Sequence, residues 1–220
     1  MKKKSVKIDY VSDIACPWCA VGLGALEQAL KNINGEFDVE IHFQPFELNP
    51  HMPEGGQDVF EHLTEKYGMP ESQVRVNQKN IRDRAAAVGF DFHPEGRKHV
   101  YNTFNAHRLL HWAEVELDAQ AQYRLKRELL GTYFTLAVSL DDHNNLIDAV
   151  KRAGLDTVRA QEVLSQNLFN AEVRARQQKY TGLGISSVPS LIINDQYLLQ
   201  GAQPAEAFEQ ALRQVAAQTA

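Results

Sequence analysis

The chain of 220 residues is 44% hydrophobic and 23% charged, enough apolar material for a sizeable core in a globular protein. Its net charge of −5 leaves no cationic footprint, which excludes nucleic acid and an anionic membrane surface as main partners; Lys2, Lys3 and Lys4 are a short solvated run. No window is apolar enough to cross a bilayer, and Lys7, Asp9 and Asp13 break the run a secretory signal would need, so a cytoplasmic protein is expected.

From the N-terminus, Val6, Ile8 and Tyr10 alternate with Lys7 and Asp9, a strand period. Val21, Leu23, Leu26, Ala29, Leu30 and Ile33 then recur at helical spacing, with Gly35 as the stop. Val39, Ile41 and Phe43 alternate again before Pro45. From about Gln57 to Tyr180 the patterns are helical and no strand is expected. Val59, Phe60, Leu63 and Tyr67 form one stripe, and Val74, Ile81, Ala85 and Val88 a second. Val100, Phe104, Leu109, Trp112 and Val115 form a third, and Tyr123, Leu129, Leu130, Tyr133, Phe134 and Ala137 a fourth. A short helix ends at Gly154, and one or two more run through Val158–Leu164 and Phe169–Tyr180. Strands return in "VPSLIIN" and "DQYLLQG", joined by the hairpin-type pair Asn194–Asp195. An amphipathic helix closes the chain, with Pro204 near its first position and Phe208, Leu212 and Val215 on its buried face.

The order is therefore β-α-β, a long helical block, then β-β-α. This is an α/β protein on the plan of a thioredoxin fold. Residues 1–55 and 181–220 form the discontinuous thioredoxin-like part, and 56–180 an inserted all-helical domain.

Cys16 and Cys19 are the only cysteines, and they stand where the first strand turns into its helix. A dithiol that exchanges disulfides needs one thiol that ionises easily and a second to resolve the mixed disulfide. The helix N-terminus supplies unpaired N–H groups and a dipole that favour the Cys16 thiolate. Pro17 suits a first helical turn, and Cys19 falls about one turn later, behind Cys16. Two other readings are open. The pair could be half of a zinc site completed by His107 and His111, spaced i, i+4, giving a metal-held binding module. It could also be two inert core thiols. A second, independent signal is Val188–Pro189 ahead of a strand expected in the sheet interior. Proline is disfavoured there unless it serves a special turn, a cis bond being one such use and an ordinary trans proline the alternative.

The segments "YVSDIACPWCAVG", "FQPFELNP", "NTFNAHRLLHWA", "GISSVPSLIIN" and "GAQP" resemble the DsbA-like thioredoxin oxidoreductases of the FrnE subfamily over nearly the whole chain. The resemblance implies a protein disulfide oxidoreductase with nucleophilic Cys16, resolving Cys19 and a cis-Pro189 whose preceding Val188 lines the substrate groove. It marks His107 as a candidate substrate contact. No resident cofactor beyond the redox-active disulfide is implied, and the partners are protein or small-molecule disulfides and thiols. The related 2-hydroxychromene-2-carboxylate isomerases and kappa-class glutathione transferases carry serine where Cys16 stands. They make a glutathione-dependent isomerase or transferase the alternative, with glutathione a candidate co-substrate. Periplasmic oxidases usually carry Pro-His between their cysteines. Here Pro17 and Trp18 tune the pair, so no added cation is expected beside the thiolate. Asp13 reads as a turn residue as readily as the buried acid of the family.

Overall fold

The computed structural model describes residues 4–218; Lys2 and Lys3 lie outside the described residues. A four-stranded sheet has the order β2-β1-β5-β6. β1 (Ser5–Ser12) runs parallel to β2 (Asp38–Pro45), with Ile8 opposite Ile41 and Tyr10 opposite Phe43. On its other side β1 pairs antiparallel with β5 (Ser190–Ile193), which pairs with β6 (Tyr197–Gln200). Val6, Ile8 and Tyr10 enter the main core, whereas Val11 packs with Tyr180 and Ile185 in a second cluster. The strand's two-residue period thus serves two buried faces. Between β5 and β6, Asn194 and Asp195 both have positive φ, 50° and 56°, as the hairpin signal requires.

Helix α1 (Pro17–Ile33) packs against the closing helix α9 (Ala205–Gln218). Asn34, not Gly35, takes the left-handed C-cap at φ 42°, and Gly35 follows at 71°. Pro204 lies just before α9, where its carbonyl accepts from the Ala207 and Phe208 amides.

The insertion contains α2 (Val59–Tyr67), α3 (Glu71–Ala87), α4 (Phe104–Glu116) and α5 (Ala119–Leu130). A π-helical turn over Gly131–Thr135 follows, then α6 (His143–Arg152), α7 (Thr157–Ser165) and α8 (Asn170–Gly182). Contrary to expectation it also holds a small antiparallel pair, β3 (Gln57–Asp58) with β4 (His99–Val100). Strands of two residues each are too short to show alternation. Val100 therefore belongs to β4 and not to the third helix, and Tyr67 and Val115, expected inward, are 52% and 48% exposed.

One hydrophobic cluster unites the sheet residues with Leu109, Trp112, Leu125 and Leu129 of the insertion. The joint is made at the open edge of β2. There the fully buried Gln122 of α5 accepts from the Phe43 amide at 2.8 Å and donates to the Phe43 carbonyl at 3.0 Å, as a neighbouring strand would. Among the described residues no helix is long and apolar enough to cross a membrane.

Candidate active site

Cys16 is the N-cap of α1, with extended backbone (φ −90°, ψ 112°), and Pro17 opens the helix. The Cys19 amide donates to the Cys16 carbonyl at 3.0 Å, which closes the first turn and brings the side chains together. The sulfurs are unbonded. Cys16 is 5% exposed and lines a cavity; Cys19 is fully buried behind it.

That asymmetry divides their acidity. The Cys19 side chain donates a hydrogen bond to Cys16, and the Cys19 and Trp18 amides add to it. These bonds outweigh burial and hold the Cys16 thiol below its ordinary pKa. Burial pushes Cys19 well above the ordinary value, and the Cys16 charge pushes it further. The Cys16 thiol also lies 3.7 Å from the Val188 carbonyl, to which it donates. The Val188–Pro189 peptide is cis. Pro189 packs on α1 at Gly22, where a methyl group would stand 2.8 Å from the Tyr10 hydroxyl and 3.1 Å from Pro189 Cγ. A glycine is required there for the β5 loop to approach the helix.

Beneath the sulfurs, Tyr10 and Ser12 arrive from β1, Asp13 from the turn that follows it, and Lys126 from α5. The buried Tyr10 hydroxyl donates to the Cys19 carbonyl at 2.8 Å. Lys126 is fully buried and donates to Ser12 Oγ at 2.9 Å, its ammonium over the Phe43 ring. Burial lowers its pKa to about 8, against the charges of Cys19, Asp13 and Cys16, which raise it. The thiolate therefore does have an added cation, contrary to expectation. It stands below the helix start, outside the dipeptide between the thiols. Its signal was in the sequence: Lys126 interrupts the buried stripe Leu125, Leu129, Leu130 of α5.

Asp13 is more than a turn residue. It is 1% exposed and accepts from the Ala15 amide at 3.2 Å and from the Leu48 amide at 2.7 Å. Its own carbonyl accepts from the Cys16 amide at 3.3 Å. Burial raises its pKa, but the His107 ring beside it and the bonds from Leu48 and Thr103 prevail and hold the carboxyl below its ordinary range. His107 does not line the cavity as a substrate contact; its Nε2 is buried 3.5 Å from Asp13 Oδ1. His111, its partner in the zinc reading, tilts against Phe169 at 5.2 Å instead. Among the described residues no three His, Cys, Asp or Glu side chains are grouped to share a metal ion.

Above Cys16 lies a cavity of about 880 Å³, walled by α2 and α3. Trp18 stands at its rim, 36% exposed, with the Arg84 guanidinium 5.6 Å above its ring. Tyr67 stands on the same wall, its hydroxyl raised by burial and by the Cys16 charge.

A family model described as a DSBA-like thioredoxin domain matches residues 7–213. The chain is 27% identical over 210 residues to the uncharacterized protein YwbO of Bacillus subtilis, covering 94% of this chain and 96% of that one. It is 34% identical to a protein from Streptomyces coelicolor whose crystal structure is described as a "probable DsbA oxidoreductase". The two agree with a TM-score of 0.88 over 98% of this chain and 91% of that one. A 2-hydroxychromene-2-carboxylate isomerase shares the fold at 13% identity and TM-score 0.68, over 96% of this chain and 97% of that one.

Proposed function

The chain belongs to the DSBA-like thioredoxin domain family, and on that premise we propose that it is a thiol–disulfide oxidoreductase of the FrnE type working through Cys16 and Cys19. The observation that carries the reading is the asymmetry of the pair: an acidified thiol on a cavity wall, and a deeply buried thiol of raised pKa behind it.

In the reducing direction the Cys16 thiolate attacks one sulfur of a disulfide. A Cys16–substrate disulfide forms and one thiolate leaves, taking a proton from solvent. Cys19 then gives up its proton and attacks the Cys16 sulfur. The Cys16–Cys19 disulfide closes and the second substrate thiol departs. The protein dithiol is oxidised as one disulfide is reduced to two thiols, and the same steps reversed oxidise a dithiol substrate. Lys126 is a positioning residue that favours the Cys19 thiolate as it forms. Val188 offers its carbonyl beside Cys16 to an incoming chain or small molecule. A cytosolic setting fits a chain with no cysteine beyond this pair, because structural disulfides belong to oxidising compartments.

The test is trapping. Cys16→Ser is expected to lose at least a thousandfold in disulfide reduction. Cys19→Ser should accumulate a one-to-one mixed disulfide through Cys16, read by intact mass; labelling of Cys19 first by an alkylating agent at pH 6 sinks the assignment. The cavity favours a second reading, a glutathione-dependent isomerase on the same fold. Cys16→Ser separates the two, since those isomerases carry serine at this position and the variant would keep isomerase turnover while losing exchange.

A further inference from the structure

The cavity over Cys16 has a charge pattern that thiol exchange does not require. Its walls carry Lys66, Arg82, Arg84 and Arg97 against one carboxylate, Asp83. That carboxylate is already held by Lys79 at 2.6 Å. Lys66 donates only to neutral oxygens, the Leu48 carbonyl at 2.9 Å and Asn49 Oδ1 at 2.6 Å. Arg97 lies against aromatic faces, 5.4 Å from the centre of Tyr133 and 5.3 Å from that of Phe134, and its Nε is buried with no hydrogen-bond partner among the described residues. A buried N–H left without an acceptor is costly to keep. His62 stands among them, its pKa lowered by burial and by the charges of Lys66 and Arg97. The remaining lining mixes apolar side chains, among them Leu63, Val74 and Phe92, with the amides Asn77, Gln78 and Asn80, and the volume of about 880 Å³ is that of a small-molecule site.

Resting on the oxidoreductase reading, we infer that the cavity selects an anionic low-molecular-mass disulfide, whose carboxylate or phosphate is received by Arg97 and Lys66 while its sulfur meets Cys16. The apolar walls take the stem between sulfur and anion. A guanidinium offers paired N–H donors, which suit a planar carboxylate or a phosphate. A protein disulfide presented on an extended strand would need an open groove, and it has no use for cations set back between α2 and α3.

The experiment uses the reduced full chain in single-turnover mixing with two aromatic disulfides of similar size: the dianionic 5,5′-dithiobis(2-nitrobenzoate) and the neutral 2,2′-dithiodipyridine. Each rate is divided by that of dithiothreitol with the same probe, which removes intrinsic reactivity. The corrected anionic-to-neutral ratio is expected to exceed ten and to fall as salt is raised. Arg97→Met and Lys66→Met should each lower that ratio at least fivefold, and Arg97→Lys should recover part of it. Circular dichroism identifies a variant that has simply unfolded, in which case the salt dependence of the wild type decides. Glutathione disulfide and coenzyme A disulfide serve as carboxylate and phosphate arms, and the faster of them should slow in Arg97→Met. A ratio near one, a ratio untouched by salt and by both substitutions, or insulin reduced faster than every small anion overturns the inference. Reaction with the neutral probe but no preference overturns it alone. Reaction with neither probe overturns the oxidoreductase reading as well.

Discussion

The two sides of the cysteine pair are built on opposite terms. Below the sulfurs, Tyr10, Ser12, Asp13 and Lys126 are buried and each has a named internal partner. Above Cys16 the wall is cationic and includes a guanidinium nitrogen with no hydrogen-bond partner among the described residues. A charge in the floor has no water to screen it and no freedom to move, so it acts on the thiols in every state of the protein. A charge in the cavity wall is screened until something enters. The floor therefore sets the chemistry of the pair, and the cavity sets which molecule reaches it. Each substitution below tests whether that division holds.

Lys126→Met should have the largest effect. The ammonium opposes the thiolate charge in the reduced protein and has little to oppose it but Asp13 once the disulfide has formed. Removing it raises the Cys19 pKa and lowers the reduction potential by more than ~30 mV, since about 1.4 kcal/mol corresponds to that interval for two electrons. Stability supplies the second readout. Lys126 has a folded pKa of about 8 against an ordinary 10.5. Between those values the unfolded chain binds more protons than the folded one, so stability rises with pH across that window. The rise is on the order of 3 kcal/mol. It should be absent in Lys126→Met, compared with wild type by urea unfolding of the oxidised proteins, where the thiols do not titrate. An unchanged potential in a folded variant would mean that the floor does not govern the pair.

Asp13→Asn comes next and separates position from charge. The carboxylate raises the Cys16 pKa while its oxygens hold the Ala15 and Leu48 amides. The amide variant should lower the Cys16 pKa, read by thiolate absorbance. It should also cost about 1–3 kcal/mol, because an NH₂ group must face a backbone donor. In the wild type this carboxyl is held below its ordinary 3.8. Its contribution is full above that value and is lost as pH falls through the folded pKa, so the acid limb of stability should flatten in the variant. A rise in Cys16 pKa would show that Asp13 acts through structure alone.

How much of this could be read beforehand depends on how local each signal is. Cys16, Pro17 and Cys19 are contiguous, and the helix start they mark needs only its own residues. The sheet strands carry alternation long enough to see, and Asn194–Asp195 is a turn whatever surrounds it. Asp58, Asp118, Asp142 and Asp156 each cap a helix of the insertion, a local cue sufficient to set boundaries that stripes of apolar residues leave loose. The approach of Val188 and Pro189 to Cys16 was legible through the resemblance, but other arrangements that depend on two distant segments were not. Gln122 reads as a surface amide until the edge of β2 lies beside it. Asp13 reads as a turn residue until Leu48, Thr103 and His107 close over it. The cavity cations come from three separate stretches of the insertion, so no window of sequence contains them together.

The smallest effect is expected at Trp18, and it tests the division from the other side. Trp18→His places an ionisable ring between Cys16 and Cys19, at the position of the histidine in the Pro-His dipeptide named above. In this structure the position is 36% exposed and already faces the Arg84 guanidinium at 5.6 Å. A histidinium there would be repelled by Arg84, which favours the neutral ring, while water weakens its pull on the thiolate. The cation should therefore form only below the ordinary histidine range, about pH 6.5. Where it forms, it stabilises the thiolate and raises the potential, by less than ~30 mV and so by less than about 1.4 kcal/mol. At pH 7.5 the potential should match the wild type. Equilibration with glutathione buffers at pH 5.5 and 7.5, followed by thiol trapping, measures both. A double variant with Arg84→Gln should enlarge the low-pH shift by removing the repulsion. If Trp18→His alone moved the potential further than Lys126→Met, at either pH, the chemistry of the pair would be set from the cavity side, and the assignment of the floor as its electrostatic control would fail.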